Sequence, residues 1–357
     1  MRILFIIGNL DSGGAEKVIS TLANSFSKEH SVEILMISTS EKQTFYSVNN
    51  DVSVIPLLKP NEKYTFSKKV KLIRNQIIDS KPDVVISFLN YVIIYSWLAI
   101  KKIKNRTFKF IVSERNDPHK VPSTFFFRKI RNYIFSKADG CVFQTNDAKT
   151  YFNKIKCSEV IPNPVFLNNE MDFDYKVNDR DKNILMVGSN KKEKNRAMAL
   201  KAFSSFSLAC KDFRLTIVGD KLSPSDIELV NKLGIQDKVF ASGKDDKWHD
   251  KYQSSQMFIL TSNYEGMPNA LLEAAALQIP CISTNCPIGG AKDILENGKK
   301  GILIPVNDEK ELATQMKLLA LSKEACNRFS DECVDIKKKY GVDVISKRWL
   351  DFIESIL

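Results

Sequence analysis

Short apolar runs alternate with longer amphipathic segments along the whole chain. In the first half the runs fit buried strands, at 3–7, 31–37, 52–56, 84–88, 109–112 and 140–144. The segments between them repeat apolar residues at helical spacing, at 14–28, 68–80, 92–102, 124–136 and 146–154. Alternation of strand and helix predicts a parallel, doubly wound α/β sheet.

The alternation stops at 160–164, and a polar, acidic stretch at 168–182 resembles a linker. It then restarts, with strands expected at 183–187, 214–218, 239–242, 257–261, 280–283 and 301–304. The last helix carries Trp349, Phe352 and Ile353 on one face and is expected to return to the first domain. The predicted fold is therefore two doubly wound Rossmann-like domains facing a central cleft. The first comprises 1–165 plus 342–357 and the second 166–341.

The positive charge is confined to the first domain. Residues 1–165 hold 25 Lys+Arg against 14 Asp+Glu, whereas residues 166–357 hold 28 of each, and the total is +11. A basic half suits nucleic acid, an anionic bilayer or a phosphorylated substrate. No recognisable nucleic-acid motif accompanies it, which argues against nucleic acid.

Cysteine usage and hydropathy indicate a cytoplasmic chain. The seven cysteines are scattered without a CxxC pair, which favours reduced thiols over a disulfide framework or a zinc site. The N-terminal apolar run is too short for a signal peptide. The longest apolar stretch, 84–100, falls short of the ~20 residues of a membrane span and fits a strand followed by a helix.

The segment from Glu265 to Glu273 has the most specific pattern. Pro268 fits the first position of a helix, and the amides that follow it would lack helical acceptors and suit a phosphate. Glu273 would accept hydrogen bonds from a ribose, and Glu265 would orient a sugar. The alternative is a capped helix with a surface glutamate at each end. The amides in question belong to Asn269, Ala270 and Leu271.

Other strand ends carry weaker signals. The cations of 188–196, among them Lys194, suit a diphosphate, or else form a solvated basic loop. Gly13 and Gly14 allow close approach of a ligand, or else form a tight turn. Arg115 belongs to a charged cluster at 113–117 that either binds a ligand or forms structural ion pairs. The Gly-rich segment 285–293 is interpreted as an ordinary turn. Asp172 and Asp174 are interpreted as solvated acids and not as metal ligands, and the histidines as structural.

Together these segments resemble the GT-B-fold, retaining glycosyltransferase family 4. The segment from Glu265 to Glu273 matches the E-x7-E signature of that family. The opening at 13–16, the Asn163-Pro164 hinge and the stretches 289–293 and 301–305 are also similar to it.

The resemblance implies that the second domain binds a nucleotide sugar, most simply a uridine diphosphate (UDP) sugar, and the first binds a glycan acceptor. It implies that Glu273 holds the ribose, Glu265 contacts the donor sugar, and Lys194 with the amides of 269–271 holds the diphosphate. Gly14, beside Gly13, would approach that diphosphate from the first domain. No metal and no cofactor is implied.

The chain departs from the family pattern at two positions. Gly188-Ser189 stands where members often have Gly-Arg, so Lys191, Lys192 or Arg196 is a candidate for the missing charge. Arg115 stands where members often have a histidine that contacts the donor sugar, which leaves the donor open. A non-catalytic nucleotide-sugar-binding protein and a nucleotide-sugar epimerase of the same fold are the alternatives.

Two basic helices of the first domain point to the acceptor. Cations cluster at 68–74 and at 128–131, and the second cluster follows Phe125, Phe126 and Phe127. Cations beside aromatic residues suit an anionic membrane surface and hence a lipid-linked acceptor. Packing of the phenylalanines in the core is the alternative explanation.

Overall fold

The computed structural model describes residues 1–39, 41, 44–60, 62–165, 167, 180–243, 251–252 and 254–357. These residues form two compact units, unit 1 (Met1–Pro164 with Tyr340–Leu357) and unit 2 (Val165–Lys339). The boundaries expected from the sequence, after 165 and after 341, lie one and two residues further along the chain. Asp172, Asp174, His249 and most of the expected linker lie outside the described residues.

Unit 1 is built on a seven-stranded parallel sheet in the order β3-β2-β1-β4-β5-β6-β7. Its central strands are buried on both faces, which explains their uninterrupted apolar runs. Its strands are β1 (Arg2–Ile7), β2 (Ser31–Met36), β3 (Val52–Pro56), β4 (Val84–Phe88), β5 (Lys109–Glu114), β6 (Gly140–Phe143) and β7 (Ser158–Val160). The intervening helices are α1 (Gly14–Phe26), α2 (Phe66–Ser80), α3 (Asn90–Ile100), α4 (Phe125–Phe135) and α5 (Asn146–Tyr151).

Unit 2 contains a six-stranded parallel sheet in the order β10-β9-β8-β11-β12-β13. Its strands are β8 (Asp181–Gly188), β9 (Arg214–Gly219), β10 (Val239–Gly243), β11 (Ser255–Leu260), β12 (Cys281–Thr284) and β13 (Ile302–Ile304). Its α-helices include α6 (Arg196–Ala209), α7 (Pro224–Leu233), α8 (Asn269–Ala276), α9 (Gly290–Ile294), α10 (Glu309–Leu321), α11 (Lys323–Glu332) and α12 (Ile336–Lys339). Short 3-10 turns cover Lys192–Lys194 and Glu296–Gly298.

The C-terminal helix α13 (Val342–Ile356) belongs to unit 1. Its buried face joins the core beneath β1 and β4, where the rings of Trp349 and Phe88 lie 5.8 Å apart. The apolar stripe read from the sequence is therefore covered by α1 and by the sheet.

The prediction of two doubly wound Rossmann-like domains is confirmed. β7 is an additional strand that the sequence pattern did not indicate, because three half-buried residues carry too little periodicity. The apolar stretch at 84–100 divides into β4 and α3, as expected. Within the described part of the chain, no helix has both the length and the apolar character needed to cross a bilayer. All seven cysteines are free thiols.

The phenylalanines at the start of α4 do not pack in the core, so that explanation of the aromatic run is wrong. Phe125, Phe126 and Phe127 are 65%, 67% and 48% exposed. Helix α4 instead buries the face that carries Ile134 and Phe135. Its first turn therefore presents three aromatic rings to the surroundings.

Candidate active site

The strand order of unit 2 brings two charged residues together. β8 and β11 are neighbours, and the chain leaves them toward opposite sides of the sheet, at 189–195 and at 261–268. Ligands of doubly wound sheets bind at such a switch point, at the carboxyl ends of the strands. There Lys194 Nζ donates to Glu265 Oε1, and Ser262 Oγ donates to the same oxygen over 2.7 Å.

The backbone of Lys194 is fixed to the end of β11. Thr261 Oγ1 donates to the Lys194 carbonyl over 2.8 Å, and the amide of Asn263 donates to the Glu193 carbonyl over 2.7 Å. Asn195 then turns the chain with a φ of 49° and caps α6 through the amide of Met198. Lys194 is thus positioned by hydrogen bonds from the neighbouring strand as well as by its own turn.

Helix α8 begins one residue later than the sequence suggested. Pro268 is the residue that precedes the helix, with φ −75° and ψ 109°, and is not its first helical position. The first helical hydrogen bond runs from the Leu272 amide to the Pro268 carbonyl over 3.1 Å. Asn269 is the first helical residue. The amides of Ala270 and Leu271 follow it in the first turn of the helix, before the amide of Leu272 that makes this first hydrogen bond. The first turn contains no acidic residue, so the positive end of the helix is not neutralised within it.

The Gly-rich segment 285–293 packs against the loop that contains Glu265, so it is more than an ordinary turn. A methyl group added at Gly290 would lie 2.0 Å from the Gly266 carbonyl oxygen and 2.8 Å from Met267 Cα. Gly289 has a φ of 73°, in the left-handed region that favours glycine. Only a glycine at position 290 lets α9 pack this closely against the loop.

Glu273 is buried inside α8 and has a partner that the sequence pattern did not reveal. Tyr252 Oη lies 3.4 Å from Glu273 Oε2 and 3.3 Å from the Ala270 carbonyl oxygen. Both side chains are buried. Since Tyr252 precedes β11 and Glu273 follows it, no local motif connects the two residues. Glu273 is therefore a held carboxylate, and the alternative of a surface glutamate at this position is wrong.

Cys286 is a second neighbour that the sequence did not suggest. It is buried beside Glu265, whose backbone amide hydrogen-bonds the sulfur. Burial raises the pKa of the Cys286 thiol to about 12, and the Glu265 carboxylate adds to that rise. The thiol therefore stays protonated and contributes an uncharged wall.

Arg196 is not available to replace the missing arginine of the glycine turn. Its Nη2 donates to the carbonyls of Gly188 and Asp220, at 2.9 and 3.0 Å, and its Nη1 lies 3.6 Å from the Asp226 carboxylate. The side chain is buried and ties the ends of β8 and β9 together. Lys191 and Lys192 are exposed on the turn that carries Lys194.

Arg115 lies in unit 1 at the end of β5. Its Nη1 donates to Asn163 Oδ1 over 2.8 Å, and its guanidinium carbon lies 4.0 Å from the centre of the Phe88 ring. Burial lowers the pKa of Arg115 to about 9. Arg115 Nε and Nη2 are buried and have no hydrogen-bond acceptor among the described residues.

The neighbouring carboxylate of the charged cluster forms a structural ion pair. Glu114 Oε2 accepts from Arg131 Nη1 over 3.1 Å, and both side chains are buried. Burial raises the pKa of Glu114 to about 7, while the charge of Arg131 opposes the rise. Within the cluster at 113–117, Glu114 is thus paired with Arg131 of α4, whereas Arg115 has donors without an acceptor among the described residues.

Gly13 and Gly14 form the start of α1. Gly13 precedes the helix with φ −84° and ψ 163°, a conformation open to any residue. A methyl group added there would lie 2.0 Å from a Glu16 carboxylate oxygen. Position 13 therefore favours glycine because a side chain would collide with Glu16, and not because its backbone angles are unusual.

No group of three or more metal-ligating side chains is found in the described ranges. The structure thus brings together Lys194, Glu265 and the start of α8 in unit 2, with Glu273 inside that helix. Arg115, Gly13 and Gly14 belong to unit 1.

Comparison with known proteins identifies the family of the chain. Residues 12–169 match the Glycosyltransferase Family 4 model, and residues 168–333 match the Glycosyl transferases group 1 model. The chain is 30% identical, over its whole length and 99% of the relative, to the GalNAc-α-(1→4)-GalNAc-α-(1→3)-diNAcBac-PP-undecaprenol α-1,4-N-acetyl-D-galactosaminyltransferase of Campylobacter jejuni. It is 23% identical, over 89% of its length and 90% of the relative, to an N-acetylgalactosamine-N,N'-diacetylbacillosaminyl-diphospho-undecaprenol 4-α-N-acetylgalactosaminyltransferase of the same organism.

Among solved structures, a variant of S. aureus TarM in complex with Fondaparinux, alpha-GlcNAc-glycerol and UDP superposes with a TM-score of 0.80. The sequence identity is 11%, and 99% of each chain is covered. The two doubly wound units have the GT-B fold, and the two family models identify the chain as a glycosyltransferase. More specifically, the chain belongs to glycosyltransferase family 4.

Proposed function

We propose that this protein is a retaining, metal-independent transferase that moves an N-acetylhexosamine from a UDP sugar to a glycan on a polyprenyl diphosphate. The observation that carries the proposal is the junction of Lys194 and Glu265 beside the start of α8. A cation and a helix N-terminus at one strand edge suit a diphosphate. The names of both Campylobacter relatives support the N-acetylated sugar and the lipid-linked acceptor.

In this proposal unit 2 binds the donor. Glu273, held by Tyr252, accepts hydrogen bonds from the ribose hydroxyls. Lys194 and the amides of 269–271 bind the diphosphate, and Glu265 contacts the donor sugar. Unit 1 binds the acceptor, and Gly13 and Gly14 provide close backbone approach to the diphosphate.

The reaction exchanges one carbon–oxygen bond for another. The bond between the anomeric carbon of the donor sugar and the diphosphate oxygen breaks, and the acceptor hydroxyl attacks from the face that the diphosphate leaves. The acceptor proton passes to the departing phosphate oxygen, so the configuration is retained without a covalent enzyme intermediate. Lys194 and the dipole of α8 stabilise the negative charge that develops on the diphosphate.

Arg115 extends the proposal to the donor sugar or the acceptor. Its two buried donors without an acceptor among the described residues suit hydroxyl or carbonyl oxygens of a ligand. The Phe88 ring and Asn163 fix the guanidinium, so little conformational entropy remains to be lost on binding.

The surface of unit 1 supports action at the inner face of a membrane. Phe125, Phe126 and Phe127 are exposed beside Arg128 and Lys129, and Lys129 Nζ lies 4.6 Å from the centre of the Phe125 ring. Exposed aromatic rings next to cations suit the headgroup region of an anionic bilayer, where each cation contributes about 1 kcal/mol.

The test is a transfer assay with the purified full chain. UDP-N-acetylgalactosamine, UDP-N-acetylglucosamine and UDP-glucose are offered in the presence of EDTA, with an undecaprenyl-diphosphate-linked N-acetylated oligosaccharide as acceptor. We expect UDP release and an α-linked product, identified from the anomeric proton coupling. A β-linked product would overturn retention, and loss of activity in EDTA would overturn metal independence.

The same assay excludes the alternatives. A binding protein would release no UDP with any donor and acceptor. An epimerase would convert the donor into its epimer when no acceptor is present. Either result would replace the transferase proposal.

A further inference from the structure

Lys194 is hydrogen-bonded to a carboxylate, although the proposed function requires the same ammonium group for a diphosphate. Its Nζ donates to Glu265 Oε1, and the two side chains are 21% and 16% exposed. Among the described residues, Glu265 is the one carboxylate within ion-pair distance of Lys194. A diphosphate that binds Lys194 must therefore take the cation from Glu265.

The fold holds the two partners of this ion pair close together. Thr261 Oγ1 donates to the Lys194 carbonyl over 2.8 Å, and Ser262 Oγ donates to Glu265 Oε1 over 2.7 Å. Thr261 and Ser262 are buried and directly follow β11. The ion pair is thus anchored at the end of one strand, and only the side chains of Lys194 and Glu265 have to move when it breaks.

The carboxylate of Glu265 has a second oxygen that is not engaged. Oε1 accepts from Lys194 and Ser262, whereas Oε2 has no hydrogen-bond partner among the described residues. An ionised carboxylate can only accept hydrogen bonds, so it requires a ligand that carries O–H or N–H donors. The hydroxyls of a sugar are such donors, whereas an ionised diphosphate has none.

The loss of the ion pair therefore has different consequences for two kinds of nucleotide. A bare diphosphate that takes Lys194 leaves Glu265 as a partly buried carboxylate with Ser262 as its remaining donor, and separation of a partly buried charge from its partner is unfavourable. A nucleotide sugar takes Lys194 in the same way, but its hydroxyls donate to Glu265 and offset that loss.

We propose that Glu265 makes the donor site select a nucleotide that carries a sugar over the bare nucleoside diphosphate, by competing with the diphosphate for Lys194. When the donor binds, its diphosphate takes the ammonium group and its sugar hydroxyls donate to Glu265. Transfer removes the sugar, Glu265 regains Lys194, and release of the diphosphate product is favoured. The inference rests on the proposed function, because it assumes that unit 2 binds a nucleotide sugar.

The experiment measures the affinity of the full chain for UDP and for UDP-N-acetylgalactosamine by calorimetry, without acceptor. Glu265→Gln removes the charge and keeps both the size of the side chain and an oxygen that accepts from Ser262. Glu193→Gln is the matched control, because Glu193 lies on the same turn, directly before Lys194, and forms no ion pair among the described residues. Circular dichroism melting verifies that the variants fold.

We expect Glu265→Gln to bind UDP about fivefold more tightly than the unmodified chain, because no carboxylate then competes for Lys194. It should not bind UDP-N-acetylgalactosamine more tightly, since a neutral amide is a weaker acceptor for hydroxyls than a carboxylate. Glu193→Gln should leave both affinities within about twofold. Unchanged or weaker UDP binding by Glu265→Gln would overturn the proposal. An equal gain in Glu193→Gln would show a general effect of charge and would also overturn it.

A double-mutant cycle shows whether Glu265 acts through Lys194. Lys194→Met removes the cation and keeps an unbranched side chain. In that background Glu265→Gln should change the affinity for UDP by less than about twofold, because no cation remains to compete for. A gain as large as that in the unmodified chain would show simple repulsion of the diphosphate and would overturn the competition.

The same measurements separate this inference from the proposed function. If the unmodified chain binds UDP, Lys194→Met weakens that binding and Glu265→Gln does not tighten it, the selection by Glu265 is overturned and the donor site of unit 2 stands. If the unmodified chain binds no UDP, or Lys194→Met binds it equally well, the proposed function is overturned and this inference with it.

Discussion

Lys194 donates a hydrogen bond to the carboxylate of Glu265, although 71 positions separate the two residues along the chain. The strand order causes this contact, because β8 and β11 are adjacent parallel strands and their carboxyl ends lie at the same edge of the sheet. Ser262 and Thr261 fix the two partners from the same strand end. The charged centre of unit 2 is therefore held by the residues that directly follow β11.

Replacement of Lys194 should test the diphosphate assignment. Lys194→Ala removes the cation that is hydrogen-bonded to Glu265 in the loop ahead of α8, and we expect kcat to fall about 100- to 1000-fold, as for loss of one preorganised donor to a developing anion. Lys192→Ala is the control, because Lys192 is exposed on the same turn. Steady-state UDP release measures both. Equal rates for Lys194→Ala and the unmodified chain would contradict the assignment.

Ser262 should act by positioning Glu265. Ser262→Ala removes a 2.7 Å hydrogen bond to the carboxylate, and a bond to a charged group contributes about 1.5–3 kcal/mol. We expect kcat to fall roughly tenfold or more, with the KM for the donor changed little. Ser262→Thr keeps the hydroxyl and should restore most of the rate. A purely structural serine would instead lower the melting temperature and leave kcat unchanged.

Tyr252 should control affinity for the nucleotide. Tyr252→Phe leaves the ring in the core and removes the hydroxyl 3.4 Å from Glu273. Loss of about 1 kcal/mol of orientation would weaken UDP binding about fivefold in calorimetry and leave kcat at saturating donor unchanged. The control is Tyr133→Phe, which alters a hydroxyl in unit 1. Identical UDP affinities for the two variants would argue against a role for Glu273 in nucleotide binding.

Gly290 should be intolerant of any side chain. Gly290→Ala places a carbon 2.0 Å from the Gly266 carbonyl oxygen, so we expect a loss of about 1–3 kcal/mol in the free energy of unfolding. Gly188→Ala meets only ordinary contacts at 3.5 Å and should unfold like the parent protein. Chemical denaturation followed by fluorescence compares the two. Equal stability would mean that α9 does not support the Glu265 loop.

The exposed phenylalanines should be required for membrane binding. Phe125→Ser combined with Phe126→Ser removes two exposed rings without touching the core, and we expect loss of flotation with anionic liposomes at low salt. Leu208→Ser is the control, since Leu208 is 78% exposed on α6 of unit 2. Absence of low-salt binding by the unmodified chain would refute the membrane surface itself.

Much of the fold and part of the site followed from local pattern. Buried parallel strands require continuous apolar runs, and helices between them require an apolar stripe, so both sheets and their order of elements were readable. Lys194 and Glu265 were identified because each lies in a loop that follows a strand. The start of α8 was misplaced by one residue, because proline is compatible with both the last residue before a helix and the first one within it.

Contacts between residues that are far apart along the chain could not be predicted from the sequence. Tyr252 beside Glu273 and Cys286 beside Glu265 each join segments that no motif connects. Within the basic run, the residue pattern did not distinguish Arg196 from Lys194 as a cation for a diphosphate. Only the packing showed that Arg196 donates its hydrogen bonds to backbone carbonyls.

The sequence by itself determined two doubly wound domains, the uneven charge and the strand ends that carry the candidate site residues, because these depend on the period and composition of short segments. The tertiary structure decided which of the charged groups meet, which are buried in structural pairs and which aromatic rings stay exposed. Those outcomes depend on strand order and close packing, and they bring together residues that are far apart along the chain.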